Sequence, residues 1–209
     1  MNRKLRIAQI APFWMDVPPK DYGGTERVVS NITEELVKRG HQVTLFASNT
    51  SQTKAKLVSP VKADLLKNIQ SYCDTSYSVI NTYVNHYVFQ KASEFDIIHS
   101  HVSYFSFYFC DFVKTPVVHT LHDQLPRLRD AENELYKKFR HLNFVSISNE
   151  FRTHFDLNYI ATVYHGLDFN YFPFNEKGGN DLFWIGRINK HKGELEAIEA
   201  AKKTMLTGG

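Results

Sequence analysis

Short runs that are apolar almost throughout, each followed by a longer stretch with helical spacing, constrain this chain more than any other feature. Such runs occupy residues 5–11, 42–47, 96–101, 116–121, 143–148 and 161–165. Between them lie helical patterns at residues 25–39, 62–69, 78–92, 104–112, 130–140 and 149–155. A strand without a polar side offers neither face to water, so its sheet must be covered on both. Strands and helices in alternation supply that cover. The pattern predicts an α/β fold, a Rossmann-like parallel sheet with helices on both faces.

The first crossover carries its own punctuation. Thr25 reads as the N-cap of a helix whose apolar positions Val28, Val29, Ile32 and Leu36 share one stripe, and Arg39-Gly40 stops it. Ahead of that helix stands Asp-Tyr-Gly-Gly-Thr-Glu-Arg-Val-Val, residues 21–29, with Gly23 and Gly24 at the helix mouth. Unpaired N–H groups and a positive dipole end meet there, and a glycine lets a phosphate or a sugar come close. A tight turn needing positive φ explains the pair equally well. The dinucleotide fingerprint G-x-G-x-x-G is absent, as is G-x-x-x-x-G-K-[ST]. The second strand ends Phe46-Ala47-Ser48, without a carboxylate for a ribose.

A second loop of similar character comes late in the chain. An aromatic and proline-bearing segment at residues 169–174 and a polar one at 176–180 read as a linker, which divides the chain into 1–175 and 176–209. Beyond it, residues 182–185 read as a strand and 193–203 as a helix, joined by Gly-Arg-Ile-Asn-Lys-His-Lys-Gly. Arg187 and Lys192 flank that loop, so a fork donor and a point charge can grip a diphosphate from two sides. Alone, the loop is also an ordinary solvated basic turn.

Histidines gather where two strands end. His99 and His101 fall on one face of the third apolar run by alternation, and His119 and His122 close the next. Parallel sheets keep their chemistry at such ends, so His122 is a candidate for substrate binding or proton handling. No H-E-x-x-H or comparable spacing accompanies these residues, and no metal is expected. The aromatic run at 104–112 reads as a core helix rather than a lipid or sugar platform.

Composition narrows the classes further. The 209 residues are 43% hydrophobic and 22% charged, with a formal charge of +3 spread along the chain, so no nucleic-acid footprint is present. Cys73 and Cys110 lack any disulfide or zinc spacing and read as free thiols in a reducing compartment. Arg6, Gln9 and Pro12 interrupt the N-terminal apolar run, which excludes a signal-peptide core, and no run is long enough to span a membrane. A cytoplasmic protein is expected, with peripheral membrane contact through basic or aromatic residues left open.

Taken in order, several segments resemble glycosyltransferase family 4. They are Tyr-Gly-Gly-Thr-Glu-Arg-Val (22–28), Leu-Val-Lys-Arg-Gly-His-Gln-Val-Thr-Leu-Phe-Ala (36–47), Asp-Ile-Ile-His-Ser-His (96–101), Thr-Leu-His-Asp (120–123), Ser-Ile-Ser-Asn-Glu (146–150), His-Gly-Leu-Asp (165–168) and Ile-Gly-Arg-Ile-Asn-Lys-His-Lys-Gly (185–193). The resemblance implies a GT-B enzyme of two Rossmann-like domains. Such an enzyme moves a sugar, of hexosyl type, from a nucleotide-diphosphate donor to a glycan, lipid or small-molecule acceptor, with retention and without a cofactor or metal. By the same resemblance Gly23 and Gly24 approach the donor phosphate or transferred sugar, and Arg187 and Lys192 neutralise the diphosphate. His122 lines the reacting sugar as the catalytic candidate, and Thr25, His101 and Asp123 lie toward the acceptor.

Two departures stand out. His165 occupies a place where the family pattern usually has Asn. The family's acidic E-x-x-x-x-x-x-x-E segment lies beyond residue 209, so residues 176–209 correspond to the linker, first strand and first helix of the donor-side domain. On that reading the 209-residue chain alone is expected to have little or no transferase activity. The competing reading is a non-catalytic Rossmann-like module for a dinucleotide or a phosphorylated small molecule. Oligomeric state, donor base and acceptor are left undetermined.

Overall fold

The computed structural model describes residues 3–66, 69, 75–122, 130–166, 175–177, 181–186, 188 and 192–206. The chain divides into two units, Met1–Gly166 and Leu167–Gly209. The first holds β1 (Arg6–Ile10), α1 (Gly24–Lys38), β2 (Gln42–Phe46), β3 (Lys56–Val58), α2 (Ala63–Leu66) and α3 (Thr75–Gln90). It continues with β4 (Ile97–Ser100), α4 (Phe107–Cys110), β5 (Val117–Leu121), α5 (Asp130–Lys138), β6 (Asn143–Ser146) and β7 (Tyr159–Thr162). The described part of the second unit contains α6 (Glu194–Leu206).

All seven strands pair in parallel, in the order β3-β2-β1-β4-β5-β6-β7. The chain therefore winds outward from β1 in one direction and from β4 in the other. The boundary between β1 and β4 is the switch point, where the connections leave to opposite faces and open a crevice at the carboxyl ends. Register fixes what meets there: Gln9 stands beside His99, and Ser100 beside His119.

Two-residue alternation assigns the faces. Ala8, Ile10, Phe46 and Ile98 pack with Val84 and Val88 of α3 and with Phe105 into one cluster. Ala11, Leu45 and Ala47 pack on Val29 of α1. Phe107, Leu121, Tyr136, Phe139 and Phe144 form a third cluster under β5 and β6. Each fully buried large side chain there contributes about 1.5–3 kcal/mol, which is why α4, only four residues long, holds its place.

Local differences from the sequence reading have physical causes. β3 is three residues with polar neighbours, too short to show alternation. The stretch 104–112 is not one helix: Ser103–Ser106 is 3-10 and only Phe107–Cys110 is α-helical, with Ser103 at φ 52° marking the tight entry. The final helical pattern of the first unit is likewise 3-10, at Glu150–His154. Residues 182–185 do not form a strand. Phe183 and Ile185 are more than four-fifths exposed, and an apolar run gains nothing from extended pairing without a neighbouring strand.

Candidate functional site

The site begins with the loop leaving β1. Phe13 and Val17 are fully buried, Val17 N–H donates to Ser51 Oγ at 2.9 Å, and Ser48 and Thr50 donate to Asp16 Oδ1. The loops after β1 and β2 are thus tied together. Trp14 Nε1 donates to Glu26 Oε1 at 2.9 Å, and Arg27 Nη2 donates to the carbonyl of Pro19 at 3.3 Å. Glu26 and Arg27 of the Tyr-Gly-Gly-Thr-Glu-Arg segment therefore hold the mouth of α1 in shape, a role the sequence reading missed.

The two glycines differ in kind. Gly23 is the N-cap at φ 152°, and a Cβ there would lie 2.7 Å from Pro19 and 3.0 Å from Glu26 Oε2. Gly24 begins the helix with nothing within 4 Å of where its Cβ would be. So Gly23 is demanded by the fold, while the bare face of Gly24 is open. Thr25, expected as the N-cap, lies two residues too late: the cap is Gly23, and it makes no side-chain hydrogen bond. Glycine has no side chain to cap the first N–H groups of α1, and the buried Glu26 carboxylate stands close to this mouth.

At the carboxyl ends of the strands next to β1, β4 and β5 deliver their histidines. Gln9, His99, His101, Thr120 and His122 share one face of the sheet by alternation. His101 Nδ1 lies 2.9 Å from His122 Nε2, and His101 Nε2 lies 2.9 Å from Gln9 Oε1. His99 Nε2 is 2.8 Å from Thr120 Oγ1. The rings form a row, with centroid spacings of 4.1 Å for His99–His101, 5.2 Å for His101–His122 and 5.5 Å for His122–His165. His165, the last residue of the final apolar run of the first domain, thus stacks on the candidate catalytic histidine. His119 faces the other way, against Ser106 and Cys110.

Burial keeps the row uncharged. It lowers His99 to about 4 and His122 to about 3 from the ordinary 6.5, with neighbouring imidazoles adding to the effect at His122. His101, fully enclosed, is held well below the usual range for the same reason. At neutral pH these rings act as hydrogen-bonding groups rather than as charges. Burial also drives the Cys110 thiol up to about 12, which leaves it unreactive.

Lys192 is exposed just ahead of Gly193 and α6, and its carbonyl accepts from Trp184 Nε1 at 3.1 Å. Arg187, Asp123 and Cys73 lie outside the described residues. Among the described residues no group of three or more His, Cys, Asp or Glu is arranged to hold a metal, and no helix is long and apolar enough to cross a membrane.

The profile described as Glycosyltransferase Family 4 matches residues 22–171. Among solved structures, the chain is similar to AviGT4, a glycosyltransferase involved in avilamycin A biosynthesis, with a TM-score of 0.57 and 19% identity over 92% of this chain and 52% of that one. It is also similar to sucrose-phosphate synthase from Thermosynechococcus elongatus, with a TM-score of 0.51 and 13% identity over 77% of this chain and 47% of that one. At these identities the likeness is one of fold, and the chain spans about half the length of the structures it matches. No curated protein matches it.

Proposed function

The chain belongs to glycosyltransferase family 4, and on that premise we propose that it supplies the acceptor-side half of an enzyme that moves a hexosyl group from a nucleotide-diphosphate donor, with retention, to a hydroxyl acceptor. The observation that carries the reading is the row of uncharged imidazoles that ends in His122 at the carboxyl ends of β4 and β5, next to β1, whose outgoing loop leads to the glycine-bearing start of α1.

The roles follow from the chemistry of each group. The N–H groups at the start of α1 offer partial positive charge to donor phosphate, and Gly24 lets it approach. His122, neutral and desolvated, hydrogen-bonds a sugar hydroxyl without adding a charge that would compete for the diphosphate. By family resemblance alone, Arg187 and Lys192 offset the charge that develops on the leaving diphosphate. Half-length coverage of the similar structures supports the further reading that these 209 residues alone turn over little or no donor.

Calorimetric titration with UDP-glucose, GDP-mannose, ADP-glucose and NAD tests this reading. At least one sugar nucleotide is expected to bind more tightly than NAD, and His122→Ala and Lys192→Ala are each expected to weaken it about tenfold, the worth of one charge-assisted or buried hydrogen bond. Preferential binding of NAD, unaffected by either substitution, would instead identify a dinucleotide module.

A further inference from the structure

The row of imidazoles contains more than a set of ring contacts, because it runs from a buried amide to a candidate catalytic nitrogen. Gln9 is fully buried in β1; its Oε1 faces His101 Nε2 at 2.9 Å, while its Nε2 has no hydrogen-bond partner among the described residues. A carbonyl oxygen only accepts, so His101 Nε2 carries the proton. His101 is buried and uncharged, and its Nδ1 is therefore a bare lone pair. That lone pair lies 2.9 Å from His122 Nε2, which must in turn be the N–H donor. His122 is also uncharged, so its remaining nitrogen, Nδ1, is unprotonated. Among the described residues this Nδ1 is buried and has no hydrogen-bond partner.

We propose that Gln9 and His101 are positioning residues that lock His122 in the Nε2–H tautomer, so that His122 meets substrate through Nδ1 as a hydrogen-bond acceptor for a hydroxyl group. This rests on the reading that His122 lines the sugar site. The polarity of the whole line is set at one end: an amide that presented N–H to His101 would reverse each hydrogen bond and turn His122 Nδ1 into a donor. An orphaned acceptor in a buried position destabilises the site, and a bound hydroxyl removes that penalty. The preference is selective. A hydroxyl donates to Nδ1, whereas a ketone, an ether or a phosphate oxygen has no proton to give.

His165 contributes from the other side. Its ring stacks on His122 at 5.5 Å and 30°, which restrains rotation of the His122 ring and keeps Nε2 aligned with His101. His165 thereby acts on the orientation of the strand-end histidine without touching the reacting atoms.

Nitrogen-resolved NMR of the full chain with 15N-labelled histidine reads the tautomers directly, because protonated and unprotonated ring nitrogens resonate far apart. At pH 7.5 the expected spectrum shows His122 with Nε2 protonated and Nδ1 bare, and His101 in the same state. Gln9→Glu keeps an acceptor at this position and preserves the pattern. Gln9→Leu removes the acceptor and moves both His122 nitrogens toward the averaged values of a mixed tautomer. A wild-type His122 protonated on Nδ1, or a Gln9→Leu spectrum identical to wild type, overturns the proposal. The wild-type spectrum decides the first point even if Gln9→Leu does not fold. Failure of the transferase reading would appear in the nucleotide titrations, which these spectra do not touch.

Discussion

The glycine pair shows how two identical neighbours carry different loads. Gly23 adopts φ 152° and is closed in by Pro19, so Gly23→Ala combines backbone strain with a clash and is expected to destabilise the first unit by about 2 kcal/mol or more. Gly24→Ala meets open space at a helical position and is expected to leave stability unchanged or raise it by about 0.5 kcal/mol, while lowering affinity for a sugar nucleotide. Urea denaturation of both variants separates the two effects, and equal destabilisation by both would contradict this division. The pair was legible in sequence as a feature, but its division of labour was not, since φ and the position of Pro19 are tertiary facts. His101 and His122 were legible because strand ends and alternation place them. Gln9 was not: a single polar residue within Ile7-Ala8-Gln9-Ile10 gives no hint of a partner 92 positions away. The register of β1 against β4 is what makes it a member of the site.

At the scale of elements, β4 and β5 together bury several imidazoles, and that has a cost which depends on pH. His99 at about 4, and His119 and His122 at about 3, all lie below the ordinary 6.5 that the unfolded chain restores. Between those values the unfolded state binds more protons, so stability rises with pH and is lost as pH falls below about 6.5. Each such imidazole adds up to about 1.4 kcal/mol per pH unit within its window. Denaturant midpoints measured from pH 8 to pH 5 are expected to be flat at first and then to fall steeply. His119→Phe, which replaces a ring packed between Phe107 and Phe144, is expected to reduce the slope. A midpoint independent of pH down to 5 would contradict the burial. The strands that bear these histidines were readable from their apolar runs. Less readable were β3 and the 3-10 segments, where three to five residues offer too little periodicity, and residues 182–185, whose apolar character announced a strand that finds no partner among the described residues.

For the molecule as a whole, the order β3-β2-β1-β4-β5-β6-β7 puts the strand that leads to α1 next to the strand that starts the imidazole row. The α/β class followed from alternation alone, whereas the reading of the crevice as a sugar-transfer site drew on family resemblance, now matched by the family profile over residues 22–171. The reason is physical: a doubly wound sheet serves many ligands, and chemistry resides in the loops rather than in the sheet. The most direct measurement is therefore a chemical-shift titration of the uniformly 15N-labelled chain with UDP-glucose and GDP-mannose at millimolar concentration, with NAD as control. The account predicts saturable shifts at the Gly24 amide and the His122 ring with at least one sugar nucleotide, while His119, on the opposite face, stays still. Absence of shifts at Gly24 and His122 with both donors, or equal shifts with NAD, would contradict it.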